Sequence, residues 1–161
     1  MKTKSLIYEI ARWAAVAAAV VSLFIMFGGN TASSVEPQAV ASAVTEAVEM
    51  SNMTLAENQM VKRLYGLDPS SFEGCILYYP TTNMMAEELL IVKLSDMGQQ
   101  ETVRAAVEAR LQTQKNTFEG YGVEQFDMLS NHSIIEIRGN YVLFVVNANC
   151  DAALKAFRGA L

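Results

Sequence analysis

The stretch EELLIVKLS, residues 87–95, decides the fold. Successive side chains of a strand point to opposite faces. Glu88, Leu90, Val92 and Leu94 therefore share one face, and Glu87, Leu89, Ile91 and Lys93 share the other. Both faces are apolar through the middle, and the charged residues mark the ends. Such a strand lies in the interior of a sheet, covered on both sides. The same alternation separates the two carboxylates that open the run. Glu87 and Glu88 cannot converge on one substrate as acid and base, as glycoside hydrolysis requires. A solvated or ion-paired strand end accounts for the doublet. Glu87 has the better claim to function if it faces a groove beside the preceding loop PTTNMMA, residues 80–86.

The flanking sequence extends the sheet. CILYY (75–79) is a short strand ahead of that loop. SIIEIRGNYVLFVVN (133–147) is a hairpin in which Gly139-Asn140 supplies the turn. Residues 98–122 carry an apolar stripe of Val103, Ala106, Val107, Leu111 and Phe118, opposite a charged face, and predict a helix. A last helix is expected near 150–159. Upstream, helical periodicity begins at Val44, and TLAE (54–57) fits a capping box that starts a second helix. The order is two helices followed by two ββα units. The expected fold is α+β, an antiparallel four-stranded sheet with helices packed on one face. The two-sided apolar strand conflicts with a single covered face, and an N-terminal helix on the second face would resolve it.

Composition narrows the function. The chain has 161 residues and a net charge of −5, with no basic cluster, which excludes an ordinary nucleic-acid binder. One histidine and two cysteines are too few for a common zinc site. No cofactor is expected, and no P-loop, dinucleotide, nucleophile-elbow or metalloprotease motif occurs.

WAAVAAAVVSLFIMF (13–27) is uncharged, and Lys2, Lys4 and Arg12 precede it. The positive-inside rule puts the N-terminus in the cytoplasm and the rest outside. Residues 1–29 read as a signal anchor, or as a cleaved signal peptide. Residues 30–43 read as a linker of small and polar residues, and 44–161 as the extracytoplasmic domain. The membrane, through this N-terminal helix, is thus the first expected partner.

The candidate binding residues are Tyr79, Asn83, Met84, Glu87 and Tyr121, around the 80–88 loop. Met84 and Met85 are a pliable surface or core plugs. No metal ligand set is seen. Cys75 and Cys150 are either disulfide-bonded, as an oxidising compartment allows, or two free thiols. Cys150 opens a helix, where a thiolate is favoured.

Three segments together resemble a known family: LYGLDPSSFEGCILYYPTTNMMAEELLIVKL, the helix end with Arg110, Gln114, Lys115, Phe118, Gly120 and Tyr121, and RGNYVLFVV. They resemble a bacterial domain-of-unknown-function family, number four-three-five-eight. The resemblance covers about residues 45–158. It implies small extracytoplasmic proteins of Gram-positive bacteria, often lipoproteins, and no activity. This chain lacks the lipid-attachment cysteine. The first expectation is a non-enzymatic, membrane-tethered module that binds an envelope protein or peptide through the sheet edge and the 80–88 loop. A small-ligand accessory of a transporter is the second, and a hydrolase using Glu87 the third.

Overall fold

The computed structural model describes residues 12–13 and 31–161. The apolar run and the anchor or signal peptide read there lie outside the described residues, apart from Arg12 and Trp13. Among the described residues no helix is long and apolar enough to cross a membrane. The chain divides into two units, Met1–Thr31 and Ala32–Leu161.

The second unit is an α+β body. Its elements are α1 (Pro37–Ala47), β1 (Met53–Leu55), α2 (Asn58–Tyr65), β2 (Gly74–Pro80), β3 (Glu88–Lys93), α3 (Gln100–Phe118), α4 (Val123–Asn131), β4 (Ser133–Arg138), β5 (Tyr141–Val146) and α5 (Cys150–Ala160). The strands form one antiparallel sheet in the order β1-β2-β3-β5-β4. β3, the strand that decides the fold, is paired on both edges. Leu90 sits between Leu77 and Phe144, and Leu89 between Tyr78 and Val145. Every residue of β3 and of β5 is buried.

That burial requires cover on both faces, and both are covered. On one face Leu77, Leu90, Val92, Val142 and Phe144 pack with Val61 and Tyr65 of α2, Val103, Val107 and Phe118 of α3, and Leu129 of α4. On the other, Leu89, Ile91, Tyr141, Leu143 and Val145 pack with Val40, Ala41 and Val44 of α1 and Cys150, Ala153 and Phe157 of α5. The expectation of helices on one face is therefore corrected. The helix after the first hairpin covers one side, and the helix after the second covers the other.

The sheet has five strands, not four. Met53–Leu55, expected at the mouth of a helix, pairs with β2 instead, with Thr54 opposite Tyr79. TLAE misleads because Thr54 lies within the strand. The helix starts only at Asn58, with Glu57 at its N-cap and no side-chain cap bond.

The expected linker 30–43 is also corrected, because its second half, residues 37–43, belongs to α1. Pro37 stands in the first turn of α1, a position that proline favours. Val40 and Ala41 are fully buried, with Val44 one turn on. The small residues that read as linker let the helix lie close to the sheet and to α5. A Cβ at Gly74 would fall 2.3 Å from the Pro37 ring, so glycine is required there. The chain just before α1 is pinned as well. Ser33 N–H donates to Asn140 Oδ1 at 2.8 Å, and the Tyr141 hydroxyl donates to the Val35 carbonyl at 2.6 Å.

α3 ends at Phe118, and a separate helix, α4, follows a turn through Gly120 and Gly122. The sequence reading assigned no element to 123–131. Leu129 is the one fully buried residue of that helix, too little for an apolar stripe. The Gly139-Asn140 turn joins β4 to β5 as expected, with Gly139 at φ 57°.

Candidate functional site

The first residue of β3 is a fully buried carboxylate, Glu88. Strand alternation turns it toward α2 and α3, whereas Glu87 turns the other way. An ionised carboxylate in that position requires partners. Arg110 and Gln114 supply two of them from α3, one turn apart on the same helix face. Arg110 Nε donates to Glu88 Oε1 at 3.1 Å, and Nη2 donates to Oε2 at 2.8 Å. Gln114 Nε2 donates to Oε2 at 2.7 Å. The hydroxyl of Tyr65, the last residue of α2, donates to Oε1. All four acceptor positions of the carboxylate are thereby used.

The electrostatics follow from this packing. Burial raises the Tyr65 phenol well above its ordinary range, and the adjacent Glu88 charge adds to the effect. Burial alone would lower the Arg110 guanidinium. Its hydrogen bonds and attraction to Glu88 outweigh that and hold it above its ordinary value. The cluster is thus a carboxylate, a cation and a neutral phenol. Glu88 has no lone pair left for a substrate. Its work is to hold Arg110 and Gln114 in fixed orientations.

Those two residues open onto a cleft of about 340 Å³. One wall is α2, with Met60, Arg63 and Leu64; another is α3, with Arg110, Gln114, Thr117 and Phe118. The end of β2 and the following loop close it, with Tyr79, Thr82, Asn83 and Met85. Two of the five guanidinium N–H groups of Arg110 bind Glu88, and the Tyr65 hydroxyl lies within hydrogen-bonding reach of the guanidinium, which leaves two N–H groups without a partner among the described residues. Gln114 Oε1 is buried without a hydrogen bond, the one such side-chain atom among the described residues. Buried polar atoms are normally satisfied, so this acceptor calls for an explanation.

Of the candidates read from sequence, Tyr79 and Asn83 line the cleft. Met84 is 65% exposed and points elsewhere, while Met85 takes the wall position. Glu87 is tied outside the cleft lining. It accepts from Asn52 Nδ2 at 2.7 Å and from the Ala86 N–H at 3.2 Å. Tyr121 is 62% exposed beside Phe118, with ring centroids 6.0 Å apart. No cluster of three metal-ligating side chains occurs among the described residues.

Of the two readings of the cysteines, the structure has the free thiols, and they lie on opposite faces of the sheet. Burial raises the Cys75 thiol to about 12. It also raises Cys150, helped by Asp151, so the thiolate expected at that helix start is not favoured.

Sequence reasoning missed Glu88, Arg110, Gln114 and Tyr65 as a unit. A signal was available. Arg110 and Gln114 continue the stripe Val103, Val107, so a cation and an amide lie on the inner face of α3. A two-sided buried strand that begins with Glu88 needs such a partner.

The model of a family described as a domain of unknown function (DUF4358) matches residues 46–147. The chain belongs to that family. No curated protein and no solved structure matches it.

Proposed function

We infer that this chain is a membrane-tethered, extracytoplasmic binding module of the bacterial envelope, and that it takes a small ligand or a short segment in the cleft beside Glu88. One observation carries the reading. Gln114 lines a cleft of ligand size and is held rigidly by a buried carboxylate, yet its carbonyl oxygen has no partner. Preorganised polar groups with free hydrogen-bonding capacity are what a binding site needs. A non-enzymatic role is supported by the state of the carboxylate behind the cleft. All its acceptor positions are taken, so it is poorly placed to move a proton. The apolar run 13–27 with its cationic flank supports the tether.

The binding reading is tested by a thermal-shift screen of small metabolites and short peptides on the full chain. Ligands that raise the melting temperature should lose their effect in Thr82→Trp, which fills the cleft from its exposed loop. Shifts that persist in that variant, or a screen without any shift, would count against the site. The tether is tested by protease treatment of intact cells, which should degrade the body and spare a short N-terminal fragment.

A further inference from the structure

The charge around the cleft is the reverse of the charge of the chain. The chain carries 17 acidic and 12 basic residues, yet the cleft is lined by two arginines and no Asp or Glu. Arg63 is exposed and makes no hydrogen bond or ion pair among the described residues. Arg110 keeps two N–H groups beyond those taken by Glu88 and the Tyr65 hydroxyl among the described residues. Glu88 behind the cleft cancels one of the two positive charges, which leaves a single net positive charge to be matched. A monoanion fits that balance better than a phosphate dianion. The planar guanidinium also fits a carboxylate bidentately.

The second polar requirement lies close to the first. Gln114 Oε1 needs an N–H or O–H donor, and Gln114 is one helical turn from Arg110, with Cβ atoms about 5–6 Å apart. A carboxylate and an N–H separated by a single carbon would meet both residues. That is the arrangement at the last residue of a peptide. Met60, Leu64 and Met85 supply an apolar, adaptable wall for its side chain. The volume suits one or two residues.

We propose that the cleft binds the C-terminal residue of a peptide, with its α-carboxylate on Arg63 and Arg110, its amide N–H on Gln114 Oε1 and an apolar side chain against Met60, Leu64 and Met85. The proposal rests on the binding reading above and names the ligand class for that same site. Glu88 is then a positioning residue. It aims both recognition groups and leaves the ligand untouched.

The test is calorimetric titration of the full chain with acetyl-Ala-Leu carrying a free carboxylate. Its C-terminal amide, its ester analogue lacking the final N–H, and inorganic phosphate are titrated in parallel. The free carboxylate should bind at least tenfold tighter than the amide, as expected for loss of a charge-assisted contact. Arg63→Gln should remove that preference without changing the melting temperature. The ester should bind more weakly in the wild type, and about as well as the peptide in Gln114→Met. Equal binding of carboxylate and amide, abolished by Thr82→Trp, would overturn the proposal and leave the cleft a binding site. Tighter binding of phosphate than of the peptide would overturn it in favour of a phosphate ligand. Absence of saturable peptide binding would also overturn it, and the broader screen decides the binding reading independently.

Discussion

The two faces of the sheet are built from the same strands and differ in one respect. The face under α1 and α5 is an apolar core, with Tyr141 edge-on to Phe157 at 6.4 Å between centroids. Its charged members include Lys93, which reaches the rim and pairs with Glu73 at 2.9 Å, and Glu136 on the edge strand, which pairs with the half-exposed Arg158 of α5 at 2.7 Å. The face under α2, α3 and α4 is equally apolar in the middle, but at the start of β3 it holds a buried carboxylate with four donors. A core that serves only stability gains little from such a cluster, because desolvating the charges offsets much of their attraction. The difference between the faces therefore marks where the fold gives up simple packing for a fixed arrangement of polar groups. The cleft lies at that place.

The largest effects should come from breaking each face in its own way. Phe157→Ala leaves a cavity on the apolar side and should cost about 3–5 kcal/mol in denaturant unfolding. Glu88→Ala should cost about as much, for a different reason: it strands the Arg110 charge without its partner. The two losses separate in a second step. Adding Arg110→Met to Glu88→Ala should recover much of the stability, and adding it to Phe157→Ala should recover none.

Alkaline titration sharpens the comparison with one tyrosine per face. Tyr65 is raised well above its ordinary value near 10, and Tyr141, buried and facing Glu36 and Glu73, is raised to about 12. A raised phenol stabilises the fold fully below the unfolded value and loses that contribution as pH rises through the folded value. Stability should thus fall above about pH 10. Tyr65→Phe should cost about 1–3 kcal/mol at neutral pH through the lost bond to Glu88 and should flatten the alkaline decline. Tyr141→Phe should flatten it as well, through the phenol on the other face.

A smaller effect on stability is more telling for function. Replacing the cluster as a whole, with Tyr65→Phe, Glu88→Leu, Arg110→Met and Gln114→Leu, should leave unfolding free energy unchanged or raised. Ligand binding should be lost. A collapse of the fold would mean that the cluster is simply part of the core. The smallest effect concerns the two thiols. With both raised by burial and the sheet between them, reducing agent should leave the melting temperature unchanged, and thiol reagents at pH 8 should label the native protein slowly.

How much of this was legible in sequence follows from which signals are local. The β3 alternation assigned each residue to its face correctly, because a strand's period is fixed by its backbone. The hairpin at Gly139-Asn140 and the long helix α3 were legible for the same reason. Residues 37–47 were not, because PQAVASAVTEA is as consistent with a solvated linker as with a helix packed closely on a sheet. β1 is three residues long and exists only through its pairing with β2. At the site, the 79–85 region was recognisable from its tyrosine, asparagine and methionines. Glu87 was preferred over Glu88 on the condition that it faced a groove beside the 80–86 loop, and Glu87 is instead tied to Asn52 and the Ala86 N–H outside the cleft lining. Tyr65 lies 23 positions before Glu88 and Arg110 lies 22 after it, and only the packing of α2 and α3 on one face of the sheet brings them together.

The most direct test compares the two faces in living cells. A photo-activated cross-linking amino acid is placed at Met85, in the cleft wall, or at Lys155, on the exposed side of α5. The protein is irradiated in the cell and its mass is measured. The account predicts a discrete adduct at Met85, lost when Thr82→Trp is added, and none at Lys155. Equal labelling at both positions, or none at Met85, would contradict it.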